Sequence, residues 1–260
     1  MNGRRITSLT NPTVKAVRAL HLRKARAESG LFLAEGLKIV AEAVELGRRP
    51  KILLYGPDAA GHPLLKRAAE AAEQTLEVTS EILAKVSRRE NPQVVLGVFE
   101  QAYSPVEELK PAAATVWIAL HGVRDPGNLG TTIRTADAAG AGAVILIGDT
   151  CDPFSVESVR ATMGSIFAVR ISRVSEAAFV DWRRRWPGSV LGTLLTAATD
   201  FRAVAWEAPV LILMGAEQAG LPPAMAALCD LTVKIPMSGR ADSLNLAVAT
   251  GIMAYAVIAP

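Results

Sequence analysis

Apolar positions in this chain recur at two spacings that alternate from start to end. Asn11-Pro12 opens a helical pattern, a capping residue followed by proline at the first helical position. Val14, Val17 and Leu20 or His21 follow at helical spacing, with Lys15, Arg18 and Arg26 elsewhere around the helix, until Glu28-Ser29-Gly30 stops it. Short apolar runs at 31–33, 51–55, 76–78 and 94–99 read as strands, and the amphipathic stretches 35–46, 64–74 and 80–86 as helices. Strands alternating with helices predict a small α/β domain.

Residues 104–112, with Pro105 and Pro111 and no periodicity, read as a linker between a domain at 1–103 and a second at 113–260. The second region repeats the β/α pattern. Its strands are expected at 116–120, 143–147, 190–195, 210–214 and 231–235, and its helices at about 129–139, 155–163, 177–186, 222–228 and 244–258. Near-continuous apolar strands suit a parallel sheet covered on both faces. In such sheets the ligand crevice lies at the carboxyl ends of the strands.

Charge adds one feature. Residues 1–30 carry Arg4, Arg5, Lys15, Arg18, Arg23, Lys24 and Arg26 against the single acid Glu28, in a chain whose net charge is only +3. A basic N-terminus is an electrostatic handle for phosphates, or else a solvated helix face. The rest of the composition excludes more than it suggests. No run approaches the ~20 apolar residues of a membrane span. The first residues lack a secretory signal, which makes the cytoplasm the default location. Cys151 and Cys229 belong to no CxxC or Cys/His cluster, so no metal site is expected.

Three segments that follow strands hold candidate chemistry. His121-Gly122-Val123-Arg124-Asp125-Pro126-Gly127-Asn128 is a glycine- and proline-rich turn feeding a helix, with Arg134 on its second turn away from the apolar face. Met214-Gly215-Ala216-Glu217-Gln218-Ala219-Gly220-Leu221 places an acid between two glycines just past a buried strand. Ile235-Pro236-Met237-Ser238-Gly239-Arg240-Ala241-Asp242-Ser243-Leu244-Asn245 is a polar loop in which Ser243 is expected to cap the last helix and Asn245 to point back to the crevice. The first two alone read equally well as ordinary turns, whereas a capped helix after a mobile loop would explain Ser243 but not the whole third string. No GxGxxG follows a predicted strand, since Gly140-Ala141-Gly142 precedes one, and a dinucleotide site is disfavoured.

Taken together, the three segments resemble the three motifs of the SpoU (TrmH) family, within the SPOUT superfamily of RNA methyltransferases. Asn128 and Arg134 match the first motif, Gly215, Glu217, Gly220 and Leu221 the second, and Pro236, Met237, Gly239, Ser243, Leu244 and Asn245 the third. Arg160-Ala161-Thr162-Met163-Gly164-Ser165-Ile166-Phe167 resembles the stretch between the first two. Residues from Phe32-Leu33-Ala34-Glu35-Gly36 to Phe99 resemble the L30e-like substrate-binding domain that often precedes this catalytic domain. Leu246 and Ala247 stand where relatives often have valine and serine, and leave the polar set intact.

The resemblance implies an α/β fold with a parallel-sheet SPOUT domain, tied in a deep trefoil knot, after a smaller L30e-like α/β domain. It implies S-adenosyl-L-methionine as cofactor, held by backbone around Gly215, Ile235, Met237 and Leu244, and a ribose 2′-hydroxyl of ribosomal RNA as acceptor. Catalytic residues would be Arg134, Asn128, Glu217, Ser243 and Asn245. Arg134 is the family's proposed base, though a guanidinium rarely loses its proton, and binding a phosphate or polarising the 2′-oxygen suits it better. RNA would dock on Arg4, Arg5, Lys15, Arg18, Arg23, Lys24 and Arg26, and the catalytic domain would form a homodimer. The competing readings are the same reaction on transfer RNA, methylation of a base, and a non-catalytic RNA-binding protein with this fold.

Overall fold

The structure is a computed structural model that describes residues 4–259. Its chain divides into two compact units, the first comprising Met1–Gln101 and Asp152–Phe167, the second Ala102–Cys151 and Ala168–Pro260.

The first unit opens with strand β1 (Arg4–Ile6), which the apolar pattern did not signal. The single predicted N-terminal helix is two, α1 (Pro12–Ala19) and α2 (Arg23–Ser29). The Asn11 side chain caps α1 as expected, accepting from the N–H groups of Thr13 and Val14. Strand β2 (Leu31–Glu35) runs two residues past its apolar core, so Glu35 lies in the strand and helix α3 begins at Leu37 (Leu37–Glu45). Then come β3 (Ile52–Tyr55), α4 (Pro63–Ala71), β4 (Gln74–Val78), α5 (Ser80–Ser87) and β5 (Val95–Glu100). These strands form a mixed sheet in the order β1-β4-β3-β5-β2, with β5 antiparallel to both neighbours. Its core includes Val14, Val17, Leu54, Leu76, Ile82, Val86 and Leu96.

Residues 102–115, which cover the expected linker, contain two short 3-10 turns whose Val106 and Leu109 are buried in the second unit's core. Strand β6 (Val116–His121), helix α6 (Pro126–Ala138) and strand β7 (Val144–Ile147) follow. The chain then leaves for the first unit, where it supplies helix α7 (Val156–Thr162), and returns at Ala168. Two ion pairs, each with one buried member, hold that excursion. Asp152 accepts from Arg26 at 2.7 Å, and Arg160 grips Glu35 through two hydrogen bonds of 2.7 and 3.0 Å. Between them Phe154 and Phe167 join Phe32 and Phe99, with ring centroids 4.7–6.0 Å apart. Arg26 is thereby removed from the expected RNA-facing set: its guanidinium is buried and its charge is satisfied by Asp152.

Back in the second unit come β8 (Ile171–Val174), α8 (Glu176–Arg183), β9 (Val190–Thr193), β10 (Thr199–Asp200), β11 (Val210–Met214), α9 (Pro223–Ala226), β12 (Leu231–Lys234) and α10 (Leu246–Ile258). Every pairing is parallel, in the order β10-β12-β9-β11-β6-β7-β8. The central strands β6 and β11 are buried along nearly their whole length, in line with their unbroken apolar sequence. A core of Trp117, Phe179, Trp182 and Trp186 with aliphatic residues backs one face of the sheet. Helix α10 packs on α6, β6 and β11. The two cysteines form no disulfide, and no helix among the described residues is long and apolar enough to cross a membrane.

Candidate functional site

The carboxyl ends of β6, β9, β11 and β12 carry the candidate chemistry, and each is shaped by local backbone demands. After β11 the chain makes a tight turn closed by the Gly220 N–H on the Ala216 carbonyl at 2.9 Å. That closure explains Gly215: a β-carbon there would fall 2.0–2.2 Å from the backbone of Gly220 and Leu221. The turn presents Glu217. Its carboxylate accepts from the Asn128 amide at 3.1 Å and from the backbone N–H groups of Asp125 and Arg124 at 3.3 and 3.4 Å. Burial opposes its charge, but these hydrogen bonds outweigh it and hold the carboxyl below the usual carboxylate range.

Helix α6 starts beside this carboxylate. Asp125 caps it by accepting from the Asn128 N–H, and Pro126 occupies its first position. Asn128 therefore turns its side chain outward with both ends in use. Its Nδ2 donates to Glu217 and its Oδ1 accepts from Asn245 Nδ2 at 2.7 Å. Asn245, not Ser243, caps α10, with Oδ1 accepting from the N–H groups of Ala247 and Val248. Both residues can cap a helix; the Asn128 contact favours the amide, which donates and accepts at once.

A cavity of about 310 Å³ opens between the turn after β11, the residues after β9 and the 235–249 segment. Gly215, Glu217, Ile235, Met237, Ser243 and Leu244 line it, bringing six of the expected site residues to one concavity. Asn128 stands next to it through its hydrogen bond to Glu217, and Asn245 through its hydrogen bond to Asn128. Arg134 is not on its wall: it is exposed on α6, and its side chain forms no hydrogen bond or ion pair among the described residues. The turn Thr193-Leu194-Leu195-Thr196 also lines the cavity. Sequence reasoning passed over it by extending the strand to 195, whereas β9 ends at Thr193. Counting the threonines as the strand's polar exit would have located it.

The lining is chemically mixed. Leu194, Ile235, Leu244 and Leu246 offer an apolar slot for a flat ring, and Thr193, Glu217 and Ser243 offer polar atoms. Thr193, which also lines the cavity, has a buried Oγ1 without a hydrogen-bond partner. Among the described residues no group of three or more His, Cys, Asp or Glu is placed to hold a metal. Of the expected RNA-facing residues, Arg5, Lys15, Arg18, Arg23 and Lys24 are exposed on the first unit, and the side chain of Arg4 lies outside the described residues.

Known proteins match both regions. Residues 115–255 match the model of the SpoU rRNA Methylase family, and residues 11–97 that of an MRM3-like substrate binding domain. A 23S rRNA (guanosine(2553)-2′-O)-methyltransferase, RlmP, of Bacillus subtilis (strain 168) is 32% identical over 97% of this chain and 98% of its own. Among solved structures, an AdoMet-bound rRNA methyltransferase from Sinorhizobium meliloti superposes with a TM-score of 0.90 at 48% identity, covering 97% of this chain and 96% of that one. The SpoU methyltransferase AviRb from Streptomyces viridochromogenes gives 0.85 at 29%, covering 95% and 96%.

Proposed function

Because the chain belongs to the SpoU rRNA methylase family, we propose that this site transfers a methyl group from S-adenosylmethionine to a ribose 2′-hydroxyl of ribosomal RNA. The protein is an S-adenosylmethionine-dependent RNA methyltransferase. The observation that carries the site assignment is the hydrogen-bonded chain Glu217–Asn128–Asn245, which ties three distant strand-end segments together at the rim of one cavity.

The cavity fits the cofactor by size and by a lining that sets apolar side chains beside polar ones. Leu194, Ile235, Leu244 and Leu246 would hold the adenine, with Thr193 and backbone of the 215–221 and 235–237 turns on its polar edge. When bound, the cofactor supplies a methyl carbon already activated by its sulfonium leaving group. The protein's task is then alignment and handling of one proton. Glu217 fixes the 121–128 loop through two backbone N–H groups and holds Asn128 in one orientation. Asn245 locks the opposite end of that amide, and Ser243 borders the cavity beside it. Arg134, with its guanidinium free of protein partners among the described residues, binds a phosphate of the acceptor strand or polarises the 2′-oxygen.

Two further features belong to this reading. The family implies a knot in the last segment, which passes from β12 back to pack α10 on α6, β6 and β11. A homodimer through this unit is supported by α10, whose outer stripe exposes Val248 and Tyr255 at about half of their surface with Ile252 between them. Light scattering should return twice the chain mass.

Methyl-labelled S-adenosylmethionine, purified protein and either ribosomal or transfer RNA, followed by nuclease digestion and mass spectrometry, tests the reaction. The expected product is a 2′-O-methylated nucleoside from ribosomal RNA. A base-methylated nucleoside, product from transfer RNA alone, or no product defeats the proposal.

A further inference from the structure

Among the described residues, two that are not glycine adopt the left-handed backbone conformation, Arg88 (φ 56°) and Met163 (φ 52°). Each ends a helix of the first unit at the position where glycine is usual, Arg88 after α5 and Met163 after α7. A β-carbon is disfavoured there, so a long side chain at both helix ends needs a reason.

Both helix ends are tied to Arg160, one through its guanidinium and the other through its backbone. Arg160 donates to the carbonyl of Ser87, the residue before Arg88, at 2.9 Å, and its own carbonyl accepts from the Met163 N–H at 3.2 Å. The same guanidinium is clamped on Glu35, whose side chain is only 2% exposed, and Arg89 approaches that carboxylate to 3.9 Å. One buried carboxylate thus answers Arg160 and Arg89, while Arg88 makes no ion pair among the described residues. Half-buried His21 adds no negative charge, and Glu90 is the one acid between Lys85 and Val94. On the α7 side Glu42 lies by Gly164 and is met by Lys38 at 3.7 Å. The corner keeps a positive excess and, beside it, a methionine that is 58% exposed.

A cation at the carboxyl end of α5 suits the helix dipole, which accounts for charge at position 88. It does not account for an exposed apolar side chain held in the same costly conformation at 163. Cationic side chains at one helix end and a soft apolar one at the other match a nucleic-acid strand, which offers a phosphate and a ring face at each step.

We propose that this corner is a docking surface for an RNA strand, in which Arg88 and Arg89 meet backbone phosphates and Met163 packs on an unstacked base. The inference rests on the reaction assigned above, and gives the first unit a contact surface distinct from the basic residues of α1 and α2.

The test uses the full chain and a large-subunit ribosomal RNA transcript, with Arg88→Gly, Arg88→Lys and Met163→Gly. Glycine suits the backbone at both sites, so thermal midpoints should match or exceed that of the parent, and S-adenosylhomocysteine binding should be retained. RNA affinity should fall roughly three- to tenfold in each glycine variant, with the salt slope reduced by about 1 for Arg88→Gly and unchanged for Met163→Gly. Arg88→Lys should restore most of the affinity despite keeping the strained backbone. Parent protein that methylates the transcript, with both glycine variants binding it as tightly as the parent, overturns this inference and leaves the reaction standing. Absence of methyl transfer by the parent overturns both.

Discussion

The Asn245 amide donates to Asn128 Oδ1 across 2.7 Å, although 117 residues separate them in the chain. The other end of Asn128 is committed to Glu217. Asn128→Asp keeps the size and the acceptor but sets a second carboxylate against Glu217. Losing a hydrogen bond to a charged group costs about 1.5–3 kcal/mol, so methyl transfer should fall roughly ten- to a hundredfold. Initial rates with saturating cofactor check this, and a parental rate would remove the network from the mechanism.

Arg134→Ala should abolish methyl transfer and leave S-adenosylhomocysteine affinity near the parental value. Because Arg134 is exposed and touches no partner among the described residues, stability should change by less than about 0.5 kcal/mol. Calorimetry and chemical denaturation on one preparation separate these effects, and parental turnover would take Arg134 out of the reaction.

Gly215→Ala drives a β-carbon into the backbone of Gly220 and Leu221, whereas at Gly239 nothing lies within 4 Å. The first change should distort the turn that carries Glu217, cost about 1–3 kcal/mol as overpacking does, and weaken cofactor binding. Gly239→Ala should be close to neutral in stability. Equal behaviour of the two would contradict the geometry.

Burial pushes the His21 ring below its ordinary value, and Arg88 and Arg160 add to the shift, against its hydrogen bond to Val86 and the field of Glu35. The unfolded chain therefore binds the proton more readily than the folded one. Stability contributed by neutral His21 is full above the ordinary histidine value of about 6.5 and declines as pH falls through that value toward the folded one. Urea midpoints between pH 5 and 8 should rise with pH, and His21→Gln should flatten that part of the profile.

Burial also pushes the Cys229 thiol up to about 12, which leaves almost no thiolate at neutral pH. Native protein should resist alkylation at Cys229 at pH 7.5 and react there only after unfolding, as read by peptide mass spectrometry.

Unbroken apolar runs made β6, β7 and β11 readable, because a strand covered on both faces needs nothing else. Strands β1, β8 and β10 were missed for the converse reason: they are two to four residues long, and β8 contains Ser172 and Arg173. Pairing with a neighbour defines them, and periodicity does not report neighbours. The capping exchange between Ser243 and Asn245 has the same origin, since Asn128 lies far away in the chain. Motif resemblance gathered Gly215, Glu217, Ile235, Met237, Ser243 and Leu244 at one cavity, yet overlooked Thr193–Thr196, which no motif contains. Charge counting along residues 1–30 could not separate Arg26 from its exposed neighbours, because only tertiary packing brings Asp152 to it.

The excursion of residues 152–167 means that a boundary drawn along the sequence does not divide this molecule. A polypeptide starting at the catalytic region would carry Asp152 and Arg160 away from Arg26 and Glu35, and strip Phe154 and Phe167 of the rings they pack against. Parting a buried charge from its partner costs up to about 3–5 kcal/mol, and Arg26 and Glu35 would both be left so. The shortened chain is expected to be insoluble or poorly folded. The reverse fragment, residues 1–101, would lack α7 and half of its aromatic cluster. Exchange of the first unit between relatives would therefore have to transplant two stretches of gene together.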